Sequence, residues 1–242
     1  MHDVRSETKN TRFTRLYLHY RRELGDAGTA EIVPWVGTDY TDVDVLSAGV
    51  PARQSVSSRL FGVRGQWSGE VMPHVSADFG LDLEASGSDV SRVGSTTTPP
   101  REGDVRVFGQ APANQINADD WSTLNVGIAP YAQADIALAN ERLHVVPGVR
   151  FEPMMAQSSR IVPDDGKTPA VGNGRLEAPV EPRLAVRWQV TERLSAKAAT
   201  GIYHQAPLPE EQSAVFGNPS LGLARAVHYL VGGGYRFTDV LS

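Results

Sequence analysis

Along much of this chain apolar and polar residues alternate with a period of two, the pattern of strands that show one apolar and one polar face. In residues 74–85, HVSADFGLDLEA, the apolar side carries Val75, Ala77, Phe79, Leu81, Leu83 and Ala85, and the other carries His74, Ser76, Asp78, Gly80, Asp82 and Glu84. Residues 124–138 repeat this, with Leu124, Val126, Ile128, Ala132, Ala134, Ile136 and Leu138 opposite Asn125, Gly127, Tyr131, Gln133 and Asp135. In residues 180–190, Val180, Leu184, Val186, Trp188 and Val190 oppose Glu181, Arg183, Arg187 and Gln189. Helical spacing fits none of these runs. With 14–20, 31–45, 59–67, 143–151, 194–203 and 227–237, the pattern predicts nine strands. Several reach 10 residues or more, whereas strands of soluble domains are commonly about 5–6 residues long. Lengths of roughly 9–11 residues suit a tilted crossing of a bilayer.

The connections alternate in length. Short ones are expected at 25–29, 68–73, 140–142, 191–193 and 238–240, and long Gly-, Pro-, Asn- and Ser-rich ones at 47–57, 86–122, 153–176 and 204–223. Tight turns at one end and long loops at the other form the plan of an up-and-down outer-membrane β-barrel. Trp67, Trp188 and Tyr235 fall on apolar faces close to short turns, and Trp35 flanks another, so the four read as a membrane-interface girdle. Pro34, Pro130, Pro147 and Pro182 interrupt alternating runs and are expected at bulges or above the bilayer.

Composition narrows the function. A net charge of -5 and the absence of a basic run argue against nucleic-acid binding, which needs a positive face. With no cysteine, disulfide scaffolds and thiol nucleophiles are excluded. No window approaches the roughly 18 apolar residues of a membrane helix, and the polar start MHDVRSETKN lacks a signal-peptide core. The six histidines lack the spacing of a helical zinc motif. There is no Gly-x-Ser-x-Gly elbow or P-loop. Neither an enzyme, a metal site nor a cofactor is expected.

The element Thr-acid-x-Leu-Ser occurs twice, in WQVTERLS (188–195) and YRFTDVLS (235–242), and reads as a turn that opens a following strand. A strand follows the first copy and none follows the second, so residues 1–242 are expected to be part of a larger barrel domain.

Residues 181–183 (Glu-Pro-Arg), 203–207 (Tyr-His-Gln-Ala-Pro), 217–221 (Gly-Asn-Pro-Ser-Leu) and 226–229 (Ala-Val-His-Tyr) together resemble the late strands of the TonB-dependent outer-membrane receptors. The resemblance departs after Leu221, where Gly222 to Arg225 replace the family's acidic residue. It implies an incomplete barrel wall in the outer membrane of a Gram-negative bacterium. It further implies a scarce imported ligand (ferric siderophore, cobalamin or glycan) and two partners, outer-membrane lipid and the TonB energy-coupling protein, the latter reached through a plug that this sequence does not contain. On that plan His204, Gln205, Glu210, Glu211, Phe216 and Asn218 are the candidate ligand-binding residues, and Arg183, Arg187 and Lys197 the candidate luminal charges. A solvated loop and ordinary ion pairs are the plainer readings of the same residues. A passive porin-like barrel and a soluble all-β carbohydrate-binding or structural module remain the alternative functions.

Overall fold

The computed structural model describes residues 6–47, 50–95, 116–160 and 172–237. Among them twelve strands form one antiparallel sheet that does not close on itself. They are β1 (Ser6–Tyr17), β2 (Tyr20–Glu23), β3 (Thr29–Ser47), β4 (Val50–Met72), β5 (Val75–Ser95) and β6 (Ile116–Leu138), then β7 (Leu143–Phe151), β8 (Met154–Arg160), β9 (Gly172–Glu177), β10 (Val180–Gln189), β11 (Leu194–Gln205) and β12 (Ala224–Tyr235). The sheet runs β1-β3-β4-β5-β6-β7-β10-β11-β12, each strand beside its successor. β2 extends β1 along β3, β8 extends β7 along β6, and β9 pairs with β8. One of the nine expected strands, 14–20, is therefore broken at Leu18–His19, and the breaks at Glu152–Pro153 and Ala178–Pro179 fall outside the expected strands 143–151 and 180–190.

The alternation is realised in register. Phe61↔Ala85↔Val126, Val63↔Leu83↔Ile128 and Trp67↔Phe79↔Ala132 align across β4, β5 and β6. Val145↔Val186↔Ala198↔Val231 aligns across β7, β10, β11 and β12. The result is one apolar band from Leu16 on β1 to Val231 on β12, with the charged Arg22 of β2 on the same face beside Ala30, near the short turn. It is open to the surroundings: Phe79 is 51% exposed, Leu184 42% and Val231 88%. On β5 the band spans Val75 to Ala85, about 34 Å along the strand and about 24 Å in height at a 45° tilt.

Several expectations change here. The expected loop 47–57 is ladder instead, with pairs from Ser47↔Val50 through Tyr40↔Ser57. β5 and β6 likewise continue to Ser95 and from Ile116, and 153–176 contains β8 and β9. The rest of those two loops, and the short connection at 238–240, lie outside the described residues. The four prolines are neither at bulges nor above the band; the register shift between β4 and β5 is at Glu70/Met72 instead. Each proline stays in register on one side and meets a ladder interruption on the other. Pro34 pairs with Val63 and turns toward the break between β1 and β2, where its carbonyl accepts from the Leu18 N–H at 3.1 Å. The β6–β7 pairs begin one residue after Pro130 and skip Ala134 and Asp135 beside Pro147, and the β10–β11 pairs begin one residue after Pro182. The missing N–H thus falls where no ladder bond is made.

The short turns are locally determined. His74, Ala139, Asn140 and Glu141 take positive φ, and Gly28 (φ 93°) must be glycine, since a Cβ there would strike the Ser68 carbonyl. In the turn before β11 the Thr191 hydroxyl accepts from the N–H of Arg193 (3.2 Å) and Leu194 (3.0 Å). That is the mechanical content of Thr-acid-x-Leu-Ser; Thr238, its second copy, lies outside the described residues.

Candidate functional site

The face opposite the apolar band carries the charge. The β11–β12 loop reaches β5 and β6 across that face, which a curled sheet permits on its concave side. Ion pairs cross it in rows. Asp82 takes Arg64 Nε at 2.8 Å and Arg150 Nη1 at 2.6 Å, and Arg150 also meets Glu152 at 3.4 Å. Nearer the short turns Asp135 holds His144 Nδ1 at 2.7 Å and Arg187 Nη2 at 2.6 Å. The Tyr131 hydroxyl donates to Gln66 Oε1 at 3.1 Å, its ring lying across the space above Gly80.

At the top of β10 Glu181 is 2% exposed. Its carboxylate accepts from Arg183 Nη2 (2.9 Å) and from the His204 backbone N–H (2.5 Å), with His204 Nδ1 at 3.3 Å. A side chain thereby replaces the ladder bond lost where the β10–β11 pairing ends beside Pro182. Buried carboxylates persist when so satisfied.

The loop between β11 and β12 is folded down rather than free. Its 3-10 turn, Pro209–Gln212, packs on β5 and β6. Phe216 is fully buried with the Arg92 guanidinium 4.3 Å from its ring centre. The Ser213 hydroxyl donates to Asp119 at 2.6 Å, and Trp121 Nε1 donates to the Pro209 carbonyl at 2.8 Å. Val90, Trp121 and Phe216 form a small core there.

The candidate residues divide accordingly. His204 sits against Glu181, and Gln205 ends β11 on the exposed side. Glu211 Oε2 accepts from the Leu208 N–H at 2.8 Å, and Asn218 Oδ1 accepts from the N–H and hydroxyl of Ser220 at 3.0 and 2.7 Å. Those two side chains hold the loop's own shape, and Phe216 anchors it. Glu210 remains half-buried on the loop. Arg183 stacks on Tyr203 at 4.6 Å and pairs with Glu181, and Arg187 pairs with Asp135. Lys197 lies over Gly232 beside Arg187 and His144 in an open hollow of about 500 Å³. Trp67 hydrogen-bonds the Ala27 carbonyl at 2.8 Å and stacks on Phe79. Trp188 pairs with Leu143 and Tyr235 with Leu194, all on the apolar face beside short turns. Trp35 differs from the expectation: it covers Gly62 beside Arg15 on the charged face.

Arg92, Asp119 and Trp121, the receptor surface for the loop, had escaped the sequence reading. Their one signal is a lone tryptophan in the polar run DDWS, where the alternation has faded.

The fold recurs in solved structures. The ferric citrate transporter FecA in its unliganded form aligns with a TM-score of 0.65 at 14% identity, over 93% of this chain and 32% of that one. The siderophore receptor PiuA from Acinetobacter baumannii aligns at 0.65 and 12%, over 98% and 39%, and the copper transporter OprC at 0.65 and 12%, over 96% and 37%. This chain therefore spans 32–39% of the length of these proteins. No curated protein matches its sequence. The family model described as TonB dependent receptor-like, beta-barrel matches residues 3–239. An apolar outer band, a charged concave face and a sequence match over nearly the whole length agree, and the chain belongs to that family.

Proposed function

We propose that this chain forms part of the wall of an outer-membrane receptor in a Gram-negative bacterium, one that imports a scarce ligand by energy-coupled transport. The observation that carries the reading is the band: across nine strand positions the outer face is built of Val, Leu, Ile, Phe, Ala and Pro, with Arg22 beside the short turn as its charged exception, although it is open to the surroundings. An exposed apolar surface of this extent in water is a liability; in hydrocarbon it is the requirement. The likeness to a ferric citrate transporter, a siderophore receptor and a copper transporter supports a metal chelate or metal ion as the ligand class. Energy coupling rests on family membership and passes through the TonB protein and a plug. The ligand meets the concave face and the folded loop, where Gln205 and Glu210 are the candidate residues still free to touch it.

Single-tryptophan variants of the chain in vesicles whose acyl chains carry bromine test the lipid contact. Quenching of Trp67 and Trp188, with Trp35 and Trp121 spared, is the expected result. A chain that stays monodisperse in buffer and ignores the vesicles would sink the reading in favour of a soluble β module.

A further inference from the structure

Beneath the root of the β11–β12 loop the concave face encloses a cavity of about 180 Å³. Glu84 and Ser86 of β5, Asn125 of β6, Arg150 and Glu152 at the end of β7, and Ala206 contribute to its walls. At about 30 Å³ per water, the space suits an arm of about six heavy atoms.

The donors and acceptors in it are unequal. Arg150 is committed, with one nitrogen on Asp82 and another on Glu152. Arg64, the neighbouring guanidinium, is committed to Asp82 from its own side. The groups left over accept. Asn125 Oδ1 is buried without a hydrogen-bond partner. Glu84 forms no ion pair with any described residue, and one oxygen of Glu152 is unused. Three carboxylates (Asp82, Glu84, Glu152) against two guanidiniums (Arg64, Arg150) leave one net negative charge. The buried Asn125 Oδ1 requires a donor from whatever enters, and the exposed Glu84 and half-buried Glu152 carboxylates set negative charge beside it.

From this imbalance we infer that the cavity is a subsite for an alkylammonium arm of the transported ligand, and that it rejects carboxylate and phenolate arms. The inference rests on the receptor reading and deepens it by naming the charge of one part of the ligand. An ammonium group supplies three donors, enough for Asn125 Oδ1, Glu84 and Glu152 together.

The test is calorimetric titration of the full chain, folded in detergent micelles, with 1,4-diaminobutane (six heavy atoms) and, separately, citrate. Diamine binding that weakens about tenfold or more in both Glu84→Gln and Asn125→Ala, with citrate unbound, is the expected result. Glu84→Gln preserves shape, so a lost fold would not mimic the loss; heat-dependent migration on a gel reports folding of each variant. Citrate binding equal to that of the diamine, or diamine binding indifferent to both substitutions, overturns the subsite and leaves the receptor reading standing. A chain that is folded and monodisperse in buffer without detergent overturns the receptor reading, and the subsite with it.

Discussion

The lower and upper halves of the same strands invert their faces. On β5, residues Val75 to Ala85 turn apolar side chains outward and Asp78, Asp82 and Glu84 inward; from Ser86 upward Gly87, Asp89 and Ser91 face outward, while Val90 faces inward onto Trp121. β3 and β4 do likewise, with Asp42, Asp44 and Arg53 on the outside above the band and Val45 and Ala52 buried inside. Backbone, register and pairing run through unchanged. What differs is the medium: the lower outside meets hydrocarbon, and the upper outside meets water while its inside is covered by a loop. A strand's facing pattern is thus a record of its solvents.

The largest effect follows from moving one charge between the halves. Leu81 sits near the middle of the band and Ser91 on the same outward face above it. Leu81→Arg should destabilise the membrane-inserted form by about 2–4 kcal/mol, whereas Ser91→Arg should remain within about 0.5 kcal/mol. Urea titration of both variants in lipid vesicles measures this. Equal costs would mean that the band does not face hydrocarbon.

The same contrast explains what could be read in advance. The lower half was legible because hydrocarbon on one side and polar contacts on the other impose a strict period of two. The upper half looked like loop because polar residues on both faces, as in Arg53 to Ser58, carry no period; its strands are defined by register with neighbours. Trp35 reads as part of the girdle although it lies on the charged face, because β3 has apolar residues on both sides, Val33 and Trp35 against Ile32 and Val36. Phe216 was recognised as belonging to a special loop but not as its anchor, since its partner Arg92 lies more than a hundred residues away.

In the upper half the next effect concerns the loop. Asp119 receives the Ser213 hydroxyl at 2.6 Å in a fully buried contact. Asp119→Ala leaves that donor unpaired, at about 1–3 kcal/mol, so the opened loop should become roughly 5- to 150-fold more populated. The loop contains Glu210 and Glu211 and no Lys or Arg between residues 206 and 223. A Glu-specific endoprotease should therefore cut the variant faster there, with a parallel change in Trp121 fluorescence. Unchanged cleavage would show that Phe216 and Trp121 hold the loop without help from the carboxylate.

Below the band, the short-turn rim forms a third level, wet on both faces, and the effect there is the smallest. Glu23 accepts from the Thr29 hydroxyl at 2.8 Å and from Arg21 at 3.0 and 3.1 Å. First the Thr29 bond and then Arg21 hold its carboxyl below the ordinary glutamate range. A carboxyl that binds its proton less readily in the folded chain than in the unfolded one stabilises the fold above the unfolded value, about 4.3, and loses that contribution as pH falls through the lower folded value. Full exposure to water and salt keeps the contribution small. Comparing wild type with Glu23→Gln in urea titrations at about pH 6 and about pH 3 should therefore show a slight deficit for the variant at the higher pH that vanishes at the lower. A deficit that persists in acid would place the role of Glu23 in the shape of the turn and not in its charge.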